Sequence, residues 1–192
     1  WDLKLYPIQN NMRISLRLTL ILICLGMSVN AQPTIFSFPQ ANSTEEWQIV
    51  NDVVMGGLSE SKLTLTEKGY GQFSGHVSLE NNGGFASIRL LTNIQINSEY
   101  QHVILYLKGD GKNYQFRLKG DQSQPQSYVQ EFKTNGEWQT IKLKLSGFSP
   151  QFRGRALDLP NFNFSKIEEV RFLIANKKEE DFKLLVKSIG LE

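Results

Sequence analysis

The run Asn51-Asp52-Val53-Val54-Met55-Gly56-Gly57-Leu58-Ser59 decides how this chain is read, and Glu80-Asn81-Asn82-Gly83-Gly84-Phe85-Ala86-Ser87 repeats its logic. Each places a glycine pair beside Asn and an acid. Glycine has no Cβ, so a pair of them lets the main chain enter positive φ or approach another segment closely, while Asn or Asp bonds nearby backbone. Two tight, polar turns are expected, packed together at one end of a layered structure. Cradling a phosphate would call for a following helix N-terminus and usually a basic residue. Strands follow instead.

Working outward, Lys62 to Thr66, Gln72 to Leu79, and Phe85 to Leu91 alternate with a period of two. Val103 to Leu107 is continuously apolar and reads as a central strand covered on both faces. Tyr114, Phe116 and Leu118 alternate with Gln115, Arg117 and Lys119, and Gly109-Asp110-Gly111 is expected to turn a hairpin between these two strands. Tyr128 to Lys133 and Trp138 to Leu145 flank Asn135-Gly136, a pair suited to a type I′ hairpin. Val170 to Ala175 and Phe182 to Leu191 close the series. Ser43-Thr44-Glu45-Glu46 has capping-box spacing and predicts one helical turn ahead of Trp47. Ser146 to Ser165, with Pro150, Gly154 and Pro160, reads as irregular. The result is all-β, with about nine or ten strands, too many for one open sheet, so two packed antiparallel sheets are expected. Alternation by itself leaves sandwich and barrel open.

The separated segments NDVVMGGLSES (51–61), GQFSGHVSLENNGGFASIRL (71–90), KGDGKNYQFRLK (108–119) and FRGRAL (152–157) resemble the complex I intermediate-associated protein 30 family, in that order along the chain. The resemblance spans about residues 36 to 191 and implies a galactose-binding-like β-sandwich, or jelly roll. It also implies help in assembling a membrane complex related to NADH:ubiquinone oxidoreductase. It carries over no catalytic set, cofactor or metal, so a non-catalytic binding module without cofactor is expected. Its motif turns, Asn51, Asp52, Met55, Gly56, Gly57, Ser59, Glu80, Asn81, Gly83, Gly84, Phe85, Gly109, Asp110 and Gly111, are assigned a structural role.

Met12-Arg13 and Arg17 precede an apolar run from Leu18 to Val29, and Val29-Asn30-Ala31 has the small residues of a cleavage site. Residues 12–31 therefore read as a signal peptide, residues 1–11 as a mis-assigned upstream extension, and 32–192 as one sandwich domain, exported to the periplasm or outside the cell. Setting aside Lys4, Arg13, Arg17 and Asp2 leaves 18 basic and 18 acidic residues. A neutral chain lacks the footprint of a nucleic-acid binder. Cys24, the one cysteine, falls in the leader, so neither disulfides, a thiolate nucleophile nor Cys-bound zinc is expected. No membrane span is expected after leader removal.

With only His76 and His102, a Ser-His-acid triad is poorly supplied, and both read as surface residues. A glycosidase pair drawn from Asp52, Glu80 and Asp110 needs carboxylates facing across a cleft. The simpler reading has Asp52 and Asp110 bonding turn backbone and Glu80 meeting a cation such as Arg89. Two binding sites remain. Phe148, Phe152, Arg153 and Arg155 mix aromatics with arginines, as protein-interface anchors do. Tyr114, Gln115, Arg117 and Tyr128 supply the aromatic and planar polar groups a glycan needs. The partner is thus expected to be a protein or a glycan.

Overall fold

Among the described residues the chain forms thirteen strands: β1 (Thr34–Ser37), β2 (Trp47–Ile49), β3 (Glu60–Leu65), β4 (Gly71–Val77), β5 (Ala86–Gln95), β6 (His102–Lys108), β7 (Asn113–Lys119), β8 (Ser127–Lys133), β9 (Trp138–Lys144), β10 (Ser149–Phe152), β11 (Arg155–Ala156), β12 (Lys166–Ile174) and β13 (Glu180–Leu191). The computed structural model describes Trp1 and residues 33–192. The extension expected at 1–11, Trp1 apart, and the signal peptide expected at 12–31 lie outside the described residues.

Six strands form one sheet, β3-β4-β13-β6-β9, with β1 also on β13. β4 pairs with Glu180 to Val186, and β1 takes over at Ser188 to Gly190, so two short strands share one long neighbour. Seven strands form the other sheet, β11-β10-β8-β7-β12-β5-β2. Every pairing is antiparallel. Within each layer the inward aromatics pack together, Phe116 edge-on against Phe172 at 4.9 Å and Phe73 against Phe182 at 4.7 Å, and the layers meet where Phe36 of β1 packs edge-on against Trp47 of β2 at 5.5 Å. This is a jelly-roll β-sandwich, with more strands than alternation alone revealed.

Two expected hairpins are corrected. β6 pairs with β13 and β9, whereas β7 pairs with β8 and β12, so Gly109-Asp110-Gly111 carries the chain from one sheet to the other. Asn135-Gly136 does the same between β8 and β9. Their turn chemistry serves a different end, because the two crossovers hold each other. Gly111 N donates to Thr134 Oγ1 at 2.9 Å, Thr134 N donates to the Lys112 carbonyl at 3.0 Å, and a Cβ on Gly109 would lie 2.4 Å from the Thr134 side chain.

Ser43 does accept a hydrogen bond from Glu45 N, but only a turn forms, because Trp47 is drawn into the core at the start of β2. The helical turn lies earlier, α1 (Phe38–Ala41), where Pro39 suits the first turn and Asn42, at φ 47°, ends it. The segment read as irregular holds β10 and β11. β6 buries alternate residues only: its outer face is half-covered, with Tyr106 against Trp138 at 5.2 Å and the Lys187 ammonium 5.0 Å from its ring.

Candidate functional site

Asn51 leads into a single 3-10 turn, Asp52–Met55, and Asp52 is fully buried beneath it. Its Oδ1 accepts Ser59 N at 3.0 Å, while Oδ2 accepts Ser59 Oγ, Gly84 N at 2.7 Å and Phe85 N at 3.1 Å. Ser59 Oγ in turn accepts Ser78 N at 3.0 Å. Asn51 repeats the pattern, accepting Ser61 Oγ at 2.8 Å and Ser87 N at 3.3 Å. One buried carboxylate thus joins the two glycine-pair loops. Burial opposes its ionisation, but the bonds from Ser59, Gly84 and Phe85 outweigh that and hold its pKa below the usual carboxylate range.

Asp110 is tuned the same way. Burial raises its pKa, and Lys112, Lys183 N and Tyr114 Oη together bring it below normal. A carboxyl with a depressed folded pKa stabilises the native state above its unfolded pKa and loses that contribution as pH falls through the folded value. Melting temperature is therefore expected to hold steady near neutral pH and to fall steeply below about pH 4. In an Asp110→Asn variant, melted across the same pH series, the acid fall should be shallower than in the unmodified chain.

The loop braced by Asp52 forms one wall of a groove of about 380 Å³ on the solvent face of the seven-stranded sheet. Met55 and residues 82–85 make that wall, Gln151, Phe152 and Arg153 the opposite one, and Arg117, Lys119, Glu169, Arg171 and Leu173 the floor. Strand register puts three arginines in one row: Arg117 faces Arg171, and Arg171 faces Arg89. Like charges directly opposite destabilise a sheet. Buried Glu169 relieves two of them, at 2.9 Å from Arg171 and 3.7 Å from Arg89. Arg117 has only neutral acceptors, Gln115 Oε1 at 2.6 and 3.1 Å and Ser127 Oγ at 3.3 Å. Burial, and then Arg171, push its pKa down to about 10.

The structure divides the expected glycan set. Tyr114 is 1% and Tyr128 6% exposed, both in the core, Tyr114 bonded to Asp110 and Tyr128 against Phe162 and Phe164. Gln115 and Arg117 lie on the opposite, solvent face, so the four share no surface. Period two contained that answer, since odd and even residues of one strand cannot line one groove. The protein-contact set divides too. Phe148 is wholly buried, whereas Phe152, Arg153 and Arg155 are exposed, and the Arg153 guanidinium lies 5.4 Å from the Phe152 ring centre. Arg117, Phe152, Arg153, Met55, Gly83, Gly84 and Phe85 come together in the groove, which Arg155 does not line. Lys119, Glu169 and Arg171, missed in the sequence, also line it; Lys119 lies two residues from Arg117 on the same face of β7, and only the β7–β12 register brings Glu169 and Arg171 beside them. Glu80 is exposed, and Arg89 bonds Gln48 and neighbours Glu169 instead of pairing with it. Asp52 and Glu80 therefore do not form a facing pair. Among the described residues no group of three His, Cys, Asp or Glu side chains could hold a metal ion, and no helix is long and apolar enough to cross a membrane.

A jelly roll with a groove on one solvent face is an architecture of binding modules, and solved structures agree on the fold. The family 11 carbohydrate-binding module from Clostridium thermocellum, in complex with a β-1,3-1,4-mixed-linked tetrasaccharide, superposes with a TM-score of 0.62 at 16% identity, covering 83% of this chain and 94% of that one. The agarase AgWH50C gives 0.55 at 14% identity, but only 26% of that chain is matched. The chain belongs to the complex I intermediate-associated protein 30 family, whose model matches residues 36–186. Relatives named probable complex I intermediate-associated protein 30, mitochondrial, are 24% identical in Caenorhabditis briggsae (81% of this chain, 53% of that protein) and 24% in Caenorhabditis elegans (70% and 46%). The chain spans about half the length of these curated relatives. Both are named as mitochondrial proteins, which conflicts with the periplasmic or extracellular destination expected from residues 12–31 and overturns it. A short apolar stretch behind a basic one is a local signal, and the names of both relatives go against it.

Proposed function

We propose that this chain is a non-catalytic binding module that associates with an intermediate of complex I through protein contacts made at the groove on the seven-stranded sheet. Family membership and the names of the relatives support the partner class. The observation that carries the site is the convergence, in one groove, of the Asp52-braced Met55 wall with Phe152, Arg153 and Arg117. Exposed Phe and Arg side chains flanking a concavity are the kind that dominate protein interfaces. Asp52 is committed to four hydrogen bonds within the fold, which speaks against its use in a reaction. The glycan set expected from the sequence loses both of its aromatics, because Tyr114 and Tyr128 are in the core.

The test is co-purification. Tagged full-length chain should retain complex I subunits, and Phe152→Ala with Arg153→Ala should lower their recovery about tenfold. Both residues are exposed, so the melting temperature should stay within about 2 °C of the unmodified chain. Unchanged recovery would remove this groove from contention.

A further inference from the structure

The binding-module reading leaves open what chemistry the groove selects. Resting on that reading, we propose that it takes an extended acidic peptide segment of a partner protein, with one carboxylate on Arg117 and neighbouring apolar side chains over Met55 and Phe152. Four cations line the groove, Arg117, Lys119, Arg153 and Arg171, against the single carboxylate of Glu169. Glu169 is already held by Arg171 and neighbours Arg89. Among the described residues Arg117, Lys119 and Arg153 form no ion pair: Lys119 donates to the Gln124 carbonyl at 2.6 Å, Arg153 rests on Phe152, and Arg117 bonds Gln115 and Ser127. Burial and Arg171 both oppose the charge on Arg117, and Glu131, with which it forms no ion pair, offsets them only in part, so an arriving carboxylate gains charge-assisted hydrogen bonds and relieves Arg171's repulsion.

Shape and apolar content decide what bears that carboxylate. The cations are mixed with Met55, Pro125, Leu173 and Ala175, and Val53, Val54 and Leu58 stand exposed on the loop that carries Met55. Phe152 does offer a ring, but the Arg153 guanidinium already lies 5.4 Å from its centre, and a uronic acid chain has no side chain to cover Met55, Pro125, Leu173 and Ala175. A peptide with carboxylates beside apolar residues matches both.

Full-length chain is titrated against immobilised dodecapeptides in which Glu alternates with Leu, Phe or Val, against the same peptides with Gln for Glu, and against hexuronate oligosaccharides. Glu peptides should bind at least about tenfold more tightly than their Gln counterparts, and binding should weaken as salt rises. Arg117→Gln, which keeps a partner for Gln115, should abolish that preference while the chain melts at its usual temperature. Equal binding of Glu and Gln peptides, no binding of either, or binding confined to the hexuronates overturns the proposal. Failure here is separable from failure of the function: if complex I subunits are lost with Phe152→Ala and Arg153→Ala yet retained with Arg117→Gln, the groove binds its partner without selecting an acid.

Discussion

Asp52→Ala is expected to lower stability by about 4 kcal/mol, the upper range for a single substitution. The change removes the acceptor of Ser59 N, which is fully buried, and of Gly84 N and Phe85 N, which are partly buried, and leaves Ser59 Oγ only the Ser78 carbonyl at 3.3 Å. Each buried donor left unmade costs about 1–3 kcal/mol, and local relaxation recovers part of the sum. For a chain of this size that corresponds to a fall of about 8–16 °C in melting temperature, measurable by thermal or urea denaturation. Asp52→Asn should fall between the two, because its amide keeps an acceptor but turns an NH₂ toward other donors. The groove should loosen as well, since Met55 and residues 82–85 are the wall that Asp52 holds. A shift below about 3 °C for Asp52→Ala would mean that the two loops are fastened by something else.

How far this is legible in the sequence depends on whether the signal is local. Asp52, Gly57 and Gly83 could be read as turn residues because their chemistry acts within a few residues of themselves. Strands such as β7 could be read because Tyr114, Phe116 and Leu118 alternate against Gln115, Arg117 and Lys119. What alternation cannot say is which strand lies next door. Asn135-Gly136 has hairpin chemistry, yet the burial of β8 in one layer and β9 in the other decides the connection. The same non-local choice hid most of the groove. Arg171 and Glu169 sit more than fifty residues after Arg117, and only the register of β12 on β7 makes them its neighbours. The short strands β1, β2, β10 and β11 escaped for another reason: two to four residues are too few to establish a period. Phe148 and Phe152 look alike in sequence, four residues apart in one loop, but one closes the core against Phe116 at 6.3 Å and the other faces solvent.

The glycine pair at the centre of the reading makes a sharper demand, because its two members do different work. Gly57→Ala is expected to cost about 3 kcal/mol, whereas Gly56→Ala should cost about 1–2 kcal/mol. Gly56 has φ 91°, a conformation L-residues resist, but a Cβ there would meet nothing within 4 Å. Gly57 has ordinary dihedral freedom to lose and no space to fill: its Cβ would lie 2.5 Å from Asp52 Cγ and 2.8 Å from Gly83 Cα. Neither neighbour can yield cheaply. Asp52 is pinned by its four bonds, and Gly83 is itself closed in, with a Cβ there 2.7 Å from the Ser78 carbonyl and 2.8 Å from Asp52 Oδ2. Inserting one methyl group must therefore part the two loops or displace the carboxylate that joins them. Because Gly57→Ala and Asp52→Ala act on the same contact, their costs should not add: the double variant is expected to lose clearly less than the sum of the two single losses. Urea unfolding of the four chains of that cycle measures the coupling directly, and strict additivity would mean that close approach at Gly57 and the bonds of Asp52 are independent features of the fold.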